Sequence, residues 1–225
     1  MRLALLALLA LAETAHAECV EYGLVAKYVL PVDLALPADG GVVIYSDPVA
    51  ATRLAKGDPA LIPSWTWKSG GKPTVASLAP GLSVVRPKQD ALIDDKGVLQ
   101  ISLSAPKAMI KPVEAPKVKS VSYTRSTGRR GGEDVVVQLE AAPTSAVFIV
   151  LLDDKRAPKS WRMITEPGRT ELPAYSQAGC IALPNGTRPT KPGELVRVAF
   201  VDHAGRMSAP SPAFKVVEKA SPRSP

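Results

Sequence analysis

Histidine and cysteine are nearly missing from this 225-residue chain, with two of each. His16 falls in an apolar leader, so His203 is the one histidine expected in the processed protein. A Ser-His-Asp arrangement needs an imidazole held between a nucleophile and a carboxylate. His203 sits instead in Asp202-His203-Ala204-Gly205, which reads as a tight turn. One histidine and two distant cysteines do not supply the converging ligands of a zinc-type site. Calcium held by oxygens at strand ends is the one metal reading left open. There is no phosphate-cradling glycine loop and no dinucleotide fingerprint. Asp94-Asp95 and Asp153-Asp154 are carboxylate pairs, but adjacent strand residues point to opposite faces, so neither pair forms an acid/base dyad by itself. The expectation is a protein that is not an enzyme, with no catalytic residues and no cofactor. Aromatics are only 5% of the chain. Helical apolar periodicity is scarce, which points to an all-β fold. No stretch after the leader approaches the ~20 apolar residues of a membrane span, so the chain is expected not to cross a bilayer.

What is present begins with that leader. Arg2 is followed by the apolar run Leu3–Ala12, and Ala15-His16-Ala17 fits a small-x-small cleavage site. Residues 1–17 therefore read as a secretory signal peptide. Glu18 stands before Cys19 where lipidation needs a small residue, so Cys19 is not read as a lipid anchor. The protein is expected to be exported, to the periplasm or the extracellular space. That compartment is oxidising, so Cys19 and Cys180 are expected to pair. Closing so long a loop contributes about 5 kcal/mol at most in the chain-entropy account. Such a bond would bend the two halves of the chain back against each other. Two free or intermolecular thiols are the alternative.

The chain carries 22 prolines, 16 glycines and 46% hydrophobic residues. That is ample for packed cores with frequent turns. The net charge is +7. It reads as a solvated basic surface or as attraction to anionic polymers, envelope lipids or acidic glycans. The basic residues are not interleaved with aromatics, so nucleic acid is not an expected partner.

Residues 18–106 read as a first β-unit with about six strands. The clearest are Val42–Tyr45, Ile62–Lys68 with Trp65 and Trp67, and Val98–Leu103. Asp94–Gly97 reads as a hairpin loop, and Val49–Lys56 as a possible single helical turn. Residues 107–117 alternate proline with lysine and read as a short, stiff linker where contacts thin out. Residues 118–218 read as a second β-unit of seven strands. Within it Ala146–Leu152 is apolar on both faces and suits a central strand. Residues 219–225 read as a disordered tail.

The hairpin at the end of the second unit is the most explicit signal. Val196, Val198 and Phe200 alternate with Arg197 and Ala199, the period of a half-buried strand. A turn at Asp202–Gly205 and the corner Ser208-Ala209-Pro210-Ser211-Pro212 follow, and Phe214 and Val216 resume the alternation. Val198, Phe200, Asp202, Ala204, Gly205, Ser208, Pro210 and Ser211 resemble the last two strands of fibronectin type III and related immunoglobulin-like domains. The Leu36–Ser46 stretch looks like the opening of exported immunoglobulin-like domains. The resemblance implies two immunoglobulin-like or fibronectin type III-like β-sandwiches.

Two candidate ligand sites stand out. Trp65 and Trp67 share one face of a strand. Exposed, they would form a stacking platform for sugars; buried, they would be core. Arg125, Arg129 and Arg130 mark a basic loop that reads as a contact for an anionic partner or as a solvated hairpin tip. The function expected is non-catalytic binding or structural organisation at the cell envelope or outside it, with a protein or glycan partner. A carbohydrate-binding accessory module using Trp65 and Trp67, and a periplasmic assembly chaperone, are the alternatives.

Overall fold

The computed structural model describes residues 27–29, 40–45, 65–68, 74–86, 91–95, 99–103, 113–126, 132–166, 168–178 and 187–220. Among them the fold is all-β, with no helix. No helix there is long and apolar enough to cross a membrane. The leader, Cys19, Cys180, Val49–Lys56 and the tail beyond residue 220 lie outside the described residues.

The first half contributes seven strands in two antiparallel sheets. Strands β1 (Lys27–Val29), β2 (Val42–Tyr45), β5 (Leu82–Arg86) and β4 (Thr74–Ala79) pair in that order. Strands β3 (Trp65–Lys68), β6 (Ala91–Asp95) and β7 (Leu99–Leu103) form the other sheet. Asp94 and Asp95 are strand residues, paired with Gln100 and Leu99, so the loop expected at 94–97 begins later. Aspartate by itself favours a turn. Cross-strand pairing to β3 and β7 overrides that local preference.

The second half is a single seven-stranded sheet. Its order is β11 (Pro158–Met163), β10 (Ala146–Asp153), β13 (Leu195–Asp202), β14 (Phe214–Glu218), β8 (Val118–Ser126), β9 (Gly132–Leu139) and β12 (Glu171–Ala178). Every pairing is antiparallel except β14 with β8. That one parallel pairing joins two antiparallel layers into one sheet. The edge strands β11 and β12 then meet, so the sheet nearly closes, and Ser160 Oγ on β11 donates to Ala174 O on β12 at 3.3 Å. Strand β12 escaped notice in the sequence because Pro173 reads as a breaker. It lies on an edge, beside a register shift at 173–175, where a missing N–H is tolerated.

The inside of the near-closed sheet is lined by alternating residues, among them Val135, Val137, Ile149, Leu151, Val196, Val198 and Phe200. Strand β10 is buried on both sides, as its unbroken apolar run suggested. Ile149 and Leu151 face this inner core, while Phe148, Val150 and Leu152 face outward into a second one.

The second core is where the two halves meet. It combines Phe148, Val150, Leu152, Ala199 and Val201 with Val43, Ala79 and Leu82 of the first sheet. Tyr45, Phe148 and Trp161 form a triangle of edge-to-face rings, with centroids 5.5–5.8 Å apart. That spacing and tilt favour the positive ring edge over the negative face. Trp161 Nε1 donates to Pro80 O at 2.6 Å, which satisfies the indole at the rim. The turn after β13 completes the joint. Gly41 N donates to Ala204 O at 2.7 Å. Gly205, at φ +70°, lies against Val84 and Val43. At the end of the proline/lysine stretch, Pro116 is buried and Val113 packs on the inner core.

A proline-lined groove as candidate functional site

The hairpin that dominated the sequence is built around three small polar side chains. The Asp202 carboxylate accepts from the backbone N–H of Ala204 and of Arg206, each at 2.9 Å, and from Arg206 Nε at 2.8 Å. Gly205 N donates to Asp202 O at 3.1 Å and closes the turn. His203 is a half-buried turn residue, as its context indicated.

The Ser/Pro corner then runs back along β13. Ser208 N donates to Phe200 O and Ser211 N to Val198 O, each at 2.8 Å. In return Ser208 Oγ accepts from Phe200 N and Ser211 Oγ from Val198 N, each at 3.0 Å. The two serines thus satisfy β13 from both backbone and side chain. Pro210 and Pro212 offer no N–H. The chain between them cannot extend the ladder on its other side.

A groove results. Strands β14 and β8 pair only over Val216–Glu218 and Val121–Tyr123. Before that point the chain segments stand apart and enclose a cavity of about 500 Å³. Its walls are Val113–Lys117, the β9–β10 connection Ala141–Ala146, Phe200 and Pro210–Pro212. Pro116, Pro143, Pro210 and Pro212 are among its lining residues and offer it no backbone N–H. The size suits a small molecule or a short extended peptide. The sequence carried this signal as proline placement. Its reading as linker and corner missed that both segments border one space.

The residues singled out earlier do not converge on the groove. Trp65 and Trp67 lie on β3, an edge strand, opposite Asp95 and Ile93 and on one face as their spacing required. Their side chains lie outside the described residues. Arg125 is exposed near the end of β8, directly opposite Glu133 across the β8–β9 pair. Arg129 and Arg130 lie outside the described residues. Glu133 also bears on Tyr123: burial first, then hydrogen bonding to that carboxylate, pushes the phenol above its usual range. Among the described residues no three His, Cys, Asp or Glu side chains come together.

At the opposite end of β13, Lys159 is buried and pairs with Glu194, which also accepts from Lys191 N at 3.3 Å. Burial alone would raise the Glu194 pKa, but these bonds and the two lysine charges prevail and hold it below the usual range. Asp153 is held low by the Ala157 N–H bond at 2.8 Å, with Arg188 adding to it against a smaller effect of burial. No known protein family and no curated protein matches this chain.

Proposed function

We propose that the protein is an exported, non-catalytic binding protein of the cell envelope or extracellular space. In this reading it is built from two immunoglobulin-like or fibronectin type III-like β-sandwich units and takes a protein segment into the proline-lined groove. The observation that carries the reading is the groove itself. Four of its lining residues are prolines, which offer no N–H, so they limit backbone pairing across the space. The strand order supports the architecture. Strands β8-β9-β12 correspond to one layer of such a sandwich and β14-β13-β10-β11 to the other, G-F-C-C′ in the usual lettering. The leader at residues 1–17 and the absence of histidine partners for His203 in the sequence are consistent with export and with binding as the role.

Site-specific photocrosslinking tests it. A crosslinker at Ala142 or Pro212 is expected to capture a discrete adduct in the exported fraction, with the protein beginning at Glu18. The same group at Glu171, exposed on β12, is the control. Equal labelling from all three positions, or an unprocessed cytoplasmic protein, would sink the proposal.

A further inference from the structure

The end of the near-closed sheet remote from the turn at Asp202–Gly205 carries a second surface. Leu195 and Val217 are large apolar side chains left exposed, at 47% and 57%, where most such side chains among the described residues are buried. Leu195 pairs with Lys215, and Val217 lies two residues on, so all three share the outer face of β13 and β14. The β10–β11 turn stands beside them, since Asp153 pairs with Val196. It presents Lys155 and Arg156, both exposed.

The charges here do not balance. Three carboxylates beside the patch are engaged: Asp153 by Arg188 at 3.0 Å, Asp154 by Arg197 at 3.5 Å, and Glu194 by Lys159 with the Lys191 charge adding to it. Glu218, at the end of β14, is paired with Tyr123 across the β14–β8 register and lies on the opposite face from Val217. Lys155, Arg156 and Lys215 form no ion pair with any described carboxylate, and all three are exposed. Three exposed cations without an ion-pair partner among the described residues therefore flank two exposed aliphatic side chains.

Arg156 adds an independent observation. Its φ is +67°, the only positive value at a non-glycine residue among those described. Its N–H closes the turn on Asp153 O at 2.9 Å. Glycine or asparagine suits this conformation better than a long side chain does. Backbone strain of this kind persists where a side chain serves a purpose other than local stability.

We propose that this end docks on an anionic lipid surface, with Lys155, Arg156 and Lys215 on headgroup phosphates and Leu195 and Val217 in the headgroup layer. A lipid surface is favoured over a soluble polyanion because only the former has use for the aliphatic pair. The partner is thus distinct from whatever occupies the groove.

The experiment is flotation of the full-length exported protein with vesicles of equal phosphatidylglycerol and phosphatidylcholine, against pure phosphatidylcholine. Binding is expected only to the anionic vesicles, and to fall at least tenfold from about 0.05 M to about 0.5 M salt, as screening requires. Arg156→Gly is expected to weaken binding about fivefold, the usual contribution of one cation near such a surface. It should leave the melting temperature unchanged or higher, because glycine relieves the turn. Arg156→Lys should restore binding. Leu195→Ser with Val217→Ser should weaken vesicle binding and leave binding to soluble polyphosphate unchanged. Equal binding to both vesicles, full binding by Arg156→Gly, or binding to polyphosphate alone would each overturn the proposal.

Discussion

Gly205→Ala probes the joint between the halves with an internal control. A Cβ at residue 205 would lie 2.5 Å from Val84 Cγ2, 2.9 Å from Val84 Cβ and 3.1 Å from Val43 Cγ2. Val84 Cβ is fixed to the β5 backbone, so the clash cannot be relieved by a side-chain rotation alone. Overpacking of this kind costs about 1–3 kcal/mol. The left-handed backbone at φ +70° adds about 1–2 kcal/mol for any residue with a Cβ. Gly193→Ala isolates the second effect, because residue 193 has φ +88° and nothing within 4 Å of a built Cβ. Urea unfolding followed by tryptophan fluorescence and circular dichroism should therefore place Gly205→Ala about 1–3 kcal/mol below Gly193→Ala. Val84→Ala removes the Cγ2 atom and should shrink that gap. If the two glycine variants are equally stable, the turn is not seated on the first sheet and the reasoning about the joint fails.

Two further outcomes follow from the same structure. Phe148→Ala should cost about 3–5 kcal/mol and separate unfolding of the first sheet from that of the rest, because Phe148 is the ring shared by Tyr45 and Trp161. A single unshifted transition in denaturant would contradict it. Acid should weaken the fold through Glu194 and Asp153. Both have folded pKa values below their ordinary ones, so their contribution is fully present above the unfolded carboxylate range near ~4 and is lost as pH falls through the lower folded values. Urea midpoints measured at about pH 6 and about pH 3 should differ less in Glu194→Gln than in the parent protein; an equal difference would remove Glu194 from the account.

How much was legible can be judged element by element. Strand β10 announced both of its buried faces because every position from Ala146 to Leu152 is apolar. The turn after β13 announced itself through Asp202 and Gly205, whose roles are satisfied by atoms two to four residues away. Strand β12 did not, because Pro173 is a breaker except on an edge, and edges are defined only by the other strands. The groove was equally hidden, since Pro116 and Pro210 are 94 positions apart and each, read locally, is only a linker or a corner. Arg156 showed no special character in the sequence at all; its positive φ belongs to the turn that β10 and β11 impose.

Period-two alternation, proline and glycine placement and the scarcity of histidine act over a few residues, so composition and order alone determined an all-β chain with this hairpin. Which face of β10 meets which partner, the parallel pairing of β14 with β8, and the seating of Ala204 and Gly205 on Gly41 and Val84 were decided only by tertiary structure. Those contacts join residues far apart in the chain through non-directional apolar burial, and many different sequences satisfy burial equally well.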